Sequence, residues 1–394
     1  MADFRIRNAP SKEVTRYLSG KGIKPSFHWR DVSPREHAFA FTIAKMTKLD
    51  LLIDTHASLN KALTDGTPFK AWAKEIAPHL AKEGWWGKKE MIDPKTGETI
   101  IAQLGSPRRL KTIYWANTRS ARAAGLWERA QRTKKALPYF AYRLGPSERH
   151  RPHHASKAGV ILPVDDPFWD AWFPPNGWMC KCWIEQITRY RANKLGGESE
   201  RPEIEMVEET NPRTGETVSI PKGVSFGWHG NPGKNRAQTL VDNLNLKLEN
   251  AGAITPALPK AIIKEFWQSR APEAYSQMSE RVHLPVAYVP KWQGKLDGKT
   301  PLVVVSSDTV SVKVGKHMAV EASAFVNVQD VLEFGEAYQR KGRRDTTVFH
   351  RVDGVWWAVA LQRSKDGYFY IATFFRTSSG YVQRFRDNHV LIDF

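Results

Sequence analysis

The sequence predicts a multidomain α+β protein. A mainly helical N-terminal part carries an irregular Cys-, His- and Trp-rich core and β-hairpin arms, and a small α+β domain with an antiparallel sheet follows. Three observations predict this. The chain has 394 residues, which suits two or three domains. Helical periodicity and capping signals dominate the first third. After about residue 260 the pattern turns to short runs rich in β-branched and aromatic residues.

The elements follow in chain order. Ser33-Pro34-Arg35-Glu36 has the form of a capping box with proline at the first helical position. It predicts a long helix from Glu36 to about Leu63, with Phe41, Ala44, Leu52 and Leu59 on one face. A second helix is expected at Phe69–Glu83. Asp93-Pro94-Lys95-Thr96-Gly97-Glu98-Thr99 and Asn211-Pro212-Arg213-Thr214-Gly215-Glu216-Thr217 echo each other. Each reads as a tight turn, and together they predict two independent β-hairpins. Thr112–Lys135 is a basic amphipathic helix. Residues 138–183 read as irregular, and Gly223–Asn235 as a loop before a helix near Arg236–Ala251. The boundaries expected are 1–252, a linker at 253–261, and 262–394. Beyond the linker, strands are expected at Leu302–Val305, Thr347–His350, Val355–Leu361, Tyr368–Phe375 and Tyr381–Phe385, with a helix at Val328–Tyr338.

Composition narrows the function. The net charge is +18, and residues 101–200 alone hold 17 Lys and Arg against 8 Asp and Glu. A polyanionic partner is the natural expectation, through counterion release. Solvation of the surface or an acidic protein partner would use the same charge. No apolar run has the roughly 18 residues of a membrane span, and Met1-Ala2-Asp3-Phe4-Arg5 has no apolar segment of a secretory signal. Synthesis in a cytoplasm and no membrane anchor are therefore expected. Two cysteines, Cys180 and Cys182, are too few for a disulfide framework.

The irregular core has few regular elements to hold it, and Trp169, Trp172, Phe173, Trp178 and Trp183 are expected to pack it. Thiolate and imidazole are zinc donors. Cys180, Cys182 and His154, with His150 or His153 as a fourth, could ligate one structural zinc. The alternative is two buried thiols beside surface histidines. No Glu stands in an H-E-x-x-H or H-x-E arrangement with them, which argues against zinc catalysis.

An ordered set of words lies in this core. Arg151-Pro152-His153-His154 is followed by Gly159 to Pro163, Asp165-Asp166-Pro167-Phe168-Trp169, Pro174-Pro175-Asn176-Gly177-Trp178 and Cys180-Lys181-Cys182. It resembles the signature of phage Mu F-like minor head (head morphogenesis) proteins. Pro25–Thr42, Asn117–Gly125 and Gly227-Trp228-His229-Gly230-Asn231-Pro232-Gly233 are similar to other parts of that family. The resemblance covers roughly residues 1–250. It implies a head protein of a tailed bacteriophage, located in the virion. The portal, the major capsid protein and phage DNA are its implied partners.

Residues 298–380 resemble phage-borne relatives of the barnase–EndoU–colicin–RelE nucleases. Leu302–Ser307, Lys313 with His317 four residues on, and the strand Tyr370–Thr377 carry that likeness. It implies a metal-independent ribonuclease acting on RNA. Such chemistry needs a general base, a general acid and cations around the phosphorane. The candidates are His317 with Lys313, then Arg376 and Arg363 for phosphate, and Thr373 and Ser378 as hydrogen-bonding groups. His350 and His389 are reserve acids. An inactive domain kept for binding nucleic acid or a head partner is the alternative. Arg340-Lys341-Gly342-Arg343-Arg344 reads as a solvated loop or a phosphate contact, and Trp356-Trp357 as core.

Overall fold

A computed structural model describes residues 10–269, 271–276, 281–315, 320–339 and 346–392. The chain is mixed α and β and divides into two compact units, Met1–Thr239 and Leu240–Phe394. The division falls inside the helix Pro232–Ile254. The stretch expected as a linker, 253–261, belongs to this helix and the next, Ala257–Gln268. Prolines 256 and 259 sit at the start of that next helix, where an N–H is not needed.

In the first unit the axial element is the helix Pro107–Thr133. Ser106 caps it by accepting a hydrogen bond from the Arg109 N–H, and Pro107 sets the first helical φ. The helix Lys12–Ser19 lies against it. Gly125 allows the approach, because a Cβ there would stand 2.5 Å from Val14 Cγ2. Helices Leu49–Asp65 and Phe69–Lys82 add Leu52, Leu59, Trp72, Ile76 and Leu80 to the same core as Leu110 and Ala121.

The helix expected over 36–63 is two helices. Pro34–His37 makes a single turn, Ala40–Phe41 pairs in parallel with Gly22–Ile23, and the long helix starts only at Leu49. Lys45 has φ 66°, a left-handed conformation that ends helical continuity. Phe41 is fully buried, but as a strand residue. Its helical spacing to Leu52 was coincidence.

The two echoed turns are both hairpins, Lys88–Ile92 with Thr99–Gln103 and Met206–Thr210 with Thr217–Pro221. Asp93 Oδ1 accepts from the Lys95 N–H at 2.9 Å, and Asn211 Oδ1 from the Arg213 N–H at 3.0 Å. Gly97 and Gly215 take φ of 73° and 76°. They are not independent. Arg213, at one tip, bonds Asp93 at the other (2.5 Å) and Asp31 (2.8 Å).

Burial alone would raise the pKa of Asp31, but hydrogen bonds from Arg213 and the His28 N–H outweigh it and hold it below the usual value. Arg213 likewise lowers Asp93. Folded values below unfolded ones mean the triad stabilises the fold fully above about pH 4 and less as pH falls through the folded values. Arg213→Ala should therefore melt lower than wild type at pH 7, and the gap should shrink by pH 3. A gap unchanged by acid would mean that Arg213 acts through packing instead.

The stretch expected to be irregular holds a three-stranded antiparallel sheet, ordered Ile161–Pro163, Tyr139–Arg143, Trp183–Ile187. Trp169, Trp172 and Phe173 are buried with Phe140, Tyr142 and Phe168. Trp178 and Trp183 are not core residues: they are 36% and 47% exposed.

The second unit is a seven-stranded sheet. Its order is His283–Tyr288, Leu302–Ser306, Phe369–Thr377, Val355–Arg363, Thr346–Val352, Glu336–Gln339, Val390–Ile392. All neighbours are antiparallel except Leu302–Ser306 with Phe369–Thr377. Two expectations change here. Tyr381–Phe385 lies in a helix, Ser379–Asn388, whose Tyr381, Val382 and Phe385 face the aromatic cluster of Phe349 and Phe375. The helix from Val328 ends at Phe334, and Glu336–Gln339 is a strand. Gly335 makes that junction, since a Cβ would lie 2.3 Å from the Val331 carbonyl oxygen.

Candidate metal centre

Register brings three donors together. Arg143 pairs with Trp183 across the small sheet, so the chain leaving the first strand passes beside Lys181. Gly145 is required there: a Cβ would stand 2.0 Å from the Lys181 carbonyl oxygen. Cys182 thus sits at the mouth of the sheet, and Cys180 follows a turn closed by its own N–H on the Gly177 carbonyl (3.1 Å). His154, on the short helix Pro152–Ala155, faces both. Its Nδ1 lies 3.5 Å from Cys180 Sγ and 3.7 Å from Cys182 Sγ. All three side chains are buried, and their donor atoms lie within 4.8 Å of one another.

The surroundings hold the donors in place. His154 Nε2 lies 3.0 Å from the Gly223 carbonyl oxygen, so Nε2–H donates and Nδ1 keeps its lone pair for the sulfurs. Gly223 reaches it through φ +94°, with no room for a Cβ beside His153. Cys182 donating to Cys180 pulls the Cys180 thiol down, helped by His154 and by the backbone N–H groups of Asn176 and Cys182. The same bond pushes Cys182 up. Arg119, half-buried, donates to the Cys182 carbonyl at 2.7 Å and is attracted by both sulfurs. Tyr142, fully buried, bonds Asn176 Oδ1 at 3.2 Å and also reaches Cys182. His150 stands apart, with Nε2 on the Gly145 carbonyl at 2.9 Å, and His153 is not in the cluster.

The comparisons follow from this core. Residues 54–185 match the model of the family described as Phage Mu protein F like protein. Residues 54–185 are thus similar to that family. It is 34% identical over 239 residues to "Putative capsid assembly protein F" of Escherichia phage Mu, covering 57% of this chain and 54% of that one. It is 32% identical over 223 residues to "Mu-like prophage FluMu F protein" of Haemophilus influenzae, covering 53% of each. The chain thus spans about half the length of these curated relatives. No solved structure matches it. All three donors lie within the matched residues, whereas Gly223, Arg213 and the second hairpin lie beyond residue 185. Arg119, Gly145 and Gly223 were missed from sequence. A lone Arg in a basic helix and two scattered glycines carry no local signal of a shared site.

A larger cavity of about 390 Å³ lies elsewhere in the first unit, lined by Trp29, Trp178 and Trp228 together with Lys21, His37 and Asn117. Burial, and then Arg236, push Lys21 down to about 7, and its Nζ donates to the His37 carbonyl at 2.6 Å.

The nuclease candidates lie outside residues 54–185, and the described ones do not converge. His317 falls outside the described residues, as does the basic run 340–344. Lys313 is half-buried in the last turn of the helix Ser307–Gly315. Thr373 and Arg376 are three residues apart on one strand, after the irregularity at Ala360/Leu361, and so point to opposite faces. Arg363 lies six residues along its strand from Trp357, the partner of Arg376, or roughly 20 Å. It donates to the Asp297 carbonyl at 2.9 Å. Ser378 caps the helix Ser379–Asn388. His389 stacks on Phe385. One group does line up. His350 pairs with Trp357 and Trp357 with Arg376, so the three form a row across neighbouring strands on one face. The Arg376 guanidinium lies 5.1 Å from the Trp357 ring.

Proposed function

We propose that this chain is a minor capsid protein acting in head morphogenesis of a tailed phage, within the virion and close to portal, major capsid protein and packaged DNA. The observation that carries this is the 34% identical run of 239 residues with a protein named for capsid assembly. Its core, in this chain, is a built and fully buried unit rather than a scatter of shared residues. The net charge of +18 supports proximity to DNA. The test is a stop codon early in this gene in the phage or prophage that encodes it. Loss of DNA-filled heads, with the chain found in heads purified from the wild type, is the expected result. Normal heads without the chain would refute the role.

The C-terminal unit is assigned a binding role in this reading, because its described candidates are spread over two faces and both ends of the sheet. A ribonuclease remains the second reading, favoured by the row of His350, Trp357 and Arg376. It requires the full chain to cleave RNA in EDTA, and either His317→Ala or His350→Ala to abolish cleavage together with Arg376→Ala. Salt-sensitive binding without cleavage is what the binding reading expects.

A further inference from the structure

We propose that His154, Cys180 and Cys182 bind one zinc ion per chain, with water as the fourth ligand, and that this ion staples the small core. The claim does not depend on the head-assembly reading.

The distances carry it. Zinc takes sulfur at about 2.3 Å and imidazole nitrogen at about 2.0–2.1 Å, so a tetrahedral site has sulfur-to-nitrogen edges of about 3.5–3.6 Å. The two edges here are 3.5 and 3.7 Å. One imidazole nitrogen stands at these distances from two sulfurs at once. The tautomer is also the right one: Nε2–H is committed to the Gly223 carbonyl, the outer-shell bond that fixes a metal-binding histidine. Backbone N–H groups of Asn176 and Cys182 face the Cys180 sulfur, and that of Gly145 faces Cys182. Gly145 packs on the Lys181 carbonyl and Gly223 on His153, each at a position without room for a Cβ.

The fourth position is not a protein donor. No other His, Cys, Asp or Glu among the described residues joins the three, and His150 is held by the Gly145 carbonyl. Cys182 also lines a cavity of about 140 Å³ with Arg119, Arg122 and Phe173, which has room for water. The cluster holds no carboxylate to move protons and both cysteines are buried, so the ion is assigned a structural role even with water in the fourth position. It ties the helix Pro152–Ala155 to the segment that enters Trp183–Ile187, at the mouth of the three-stranded sheet.

The test is metal content of the purified full chain, measured by mass spectrometry. One zinc per chain is expected. Cys180→Ser, Cys182→Ser and His154→Ala should each fall to background, while His150→Ala keeps its zinc. Chelation should lower the melting temperature of wild type by more than about 5 °C. Should the cysteine variants fail to fold, cobalt added to the metal-stripped wild type decides. A sulfur-to-cobalt charge-transfer band with tetrahedral d–d bands supports the site, and X-ray absorption should count two sulfurs, one nitrogen and one oxygen. Absence of zinc together with absence of the cobalt band overturns the proposal. So does loss of metal in His150→Ala, or an absorption fit that requires a second imidazole.

Discussion

Gly145→Ala is expected to abolish folding of the first unit. The new Cβ would stand 2.0 Å from the Lys181 carbonyl oxygen and 2.6 Å from its carbonyl carbon. Nothing flexible is involved, since both partners are backbone. Lys181 cannot retreat, because Cys180 and Cys182 flank it in the buried cluster and Trp183 is already paired with Arg143. The cost should exceed about 4 kcal/mol, beyond ordinary single substitutions. Gly159→Ala is the control. Gly159 has φ +81° but open space around it, so only the conformational penalty of about 1 kcal/mol applies. The measurement is soluble yield and cooperative melting of full-length variants. A Gly145→Ala chain that melts like wild type would show that the sheet mouth is looser than described.

Trp169→Ala should lower stability by about 3–5 kcal/mol. The ring is fully buried between Phe140 and Phe168, with centroids at 5.6 and 4.9 Å, and its Nε1–H donates to the Pro163 carbonyl at 2.9 Å. Truncation leaves a cavity and removes one of the hydrogen bonds to the Pro163 carbonyl, which keeps the Asp166 N–H at 3.0 Å. Trp183→Ala, at 47% exposure, should change stability by less than about 1 kcal/mol. Urea titration of the two variants reads the difference directly. Equal effects would contradict the assignment of which tryptophans form the core, and that assignment was not legible in the sequence, where all five aromatics of the motif read alike.

Local chemistry was readable. Ser106-Pro107 and Ser33-Pro34 cap helices wherever they fall, and the Asx-Pro-x-Thr-Gly turn closes a hairpin by bonds within five residues. The strand at Val355 announced itself by β-branched and aromatic content. Non-local pairing was not readable. Phe41 looks helical until Gly22–Ile23 pairs with its segment, and Tyr381–Phe385 looks like a strand until its rings meet Phe349. The nuclease candidates failed to meet for a local reason and through their spread along the sheet. Thr373 and Arg376 stand three residues apart in unbroken register on one strand, so alternation puts them on opposite faces of the sheet.

What the sequence determined by itself was the class, the family signature and the donor types: two thiols and nearby imidazoles, in a basic chain of mixed α and β. What only the tertiary structure decided was which imidazole faces the sulfurs. His150, His153 and His154 are equivalent by composition and nearly so by spacing. A one-turn helix and the Gly223 carbonyl, some seventy residues on in sequence, turn His154 to the sulfurs, while the Gly145 carbonyl holds His150 away. Donor identity is a property of residues. Donor geometry depends on backbone groups distant in sequence, and only folding brings these together.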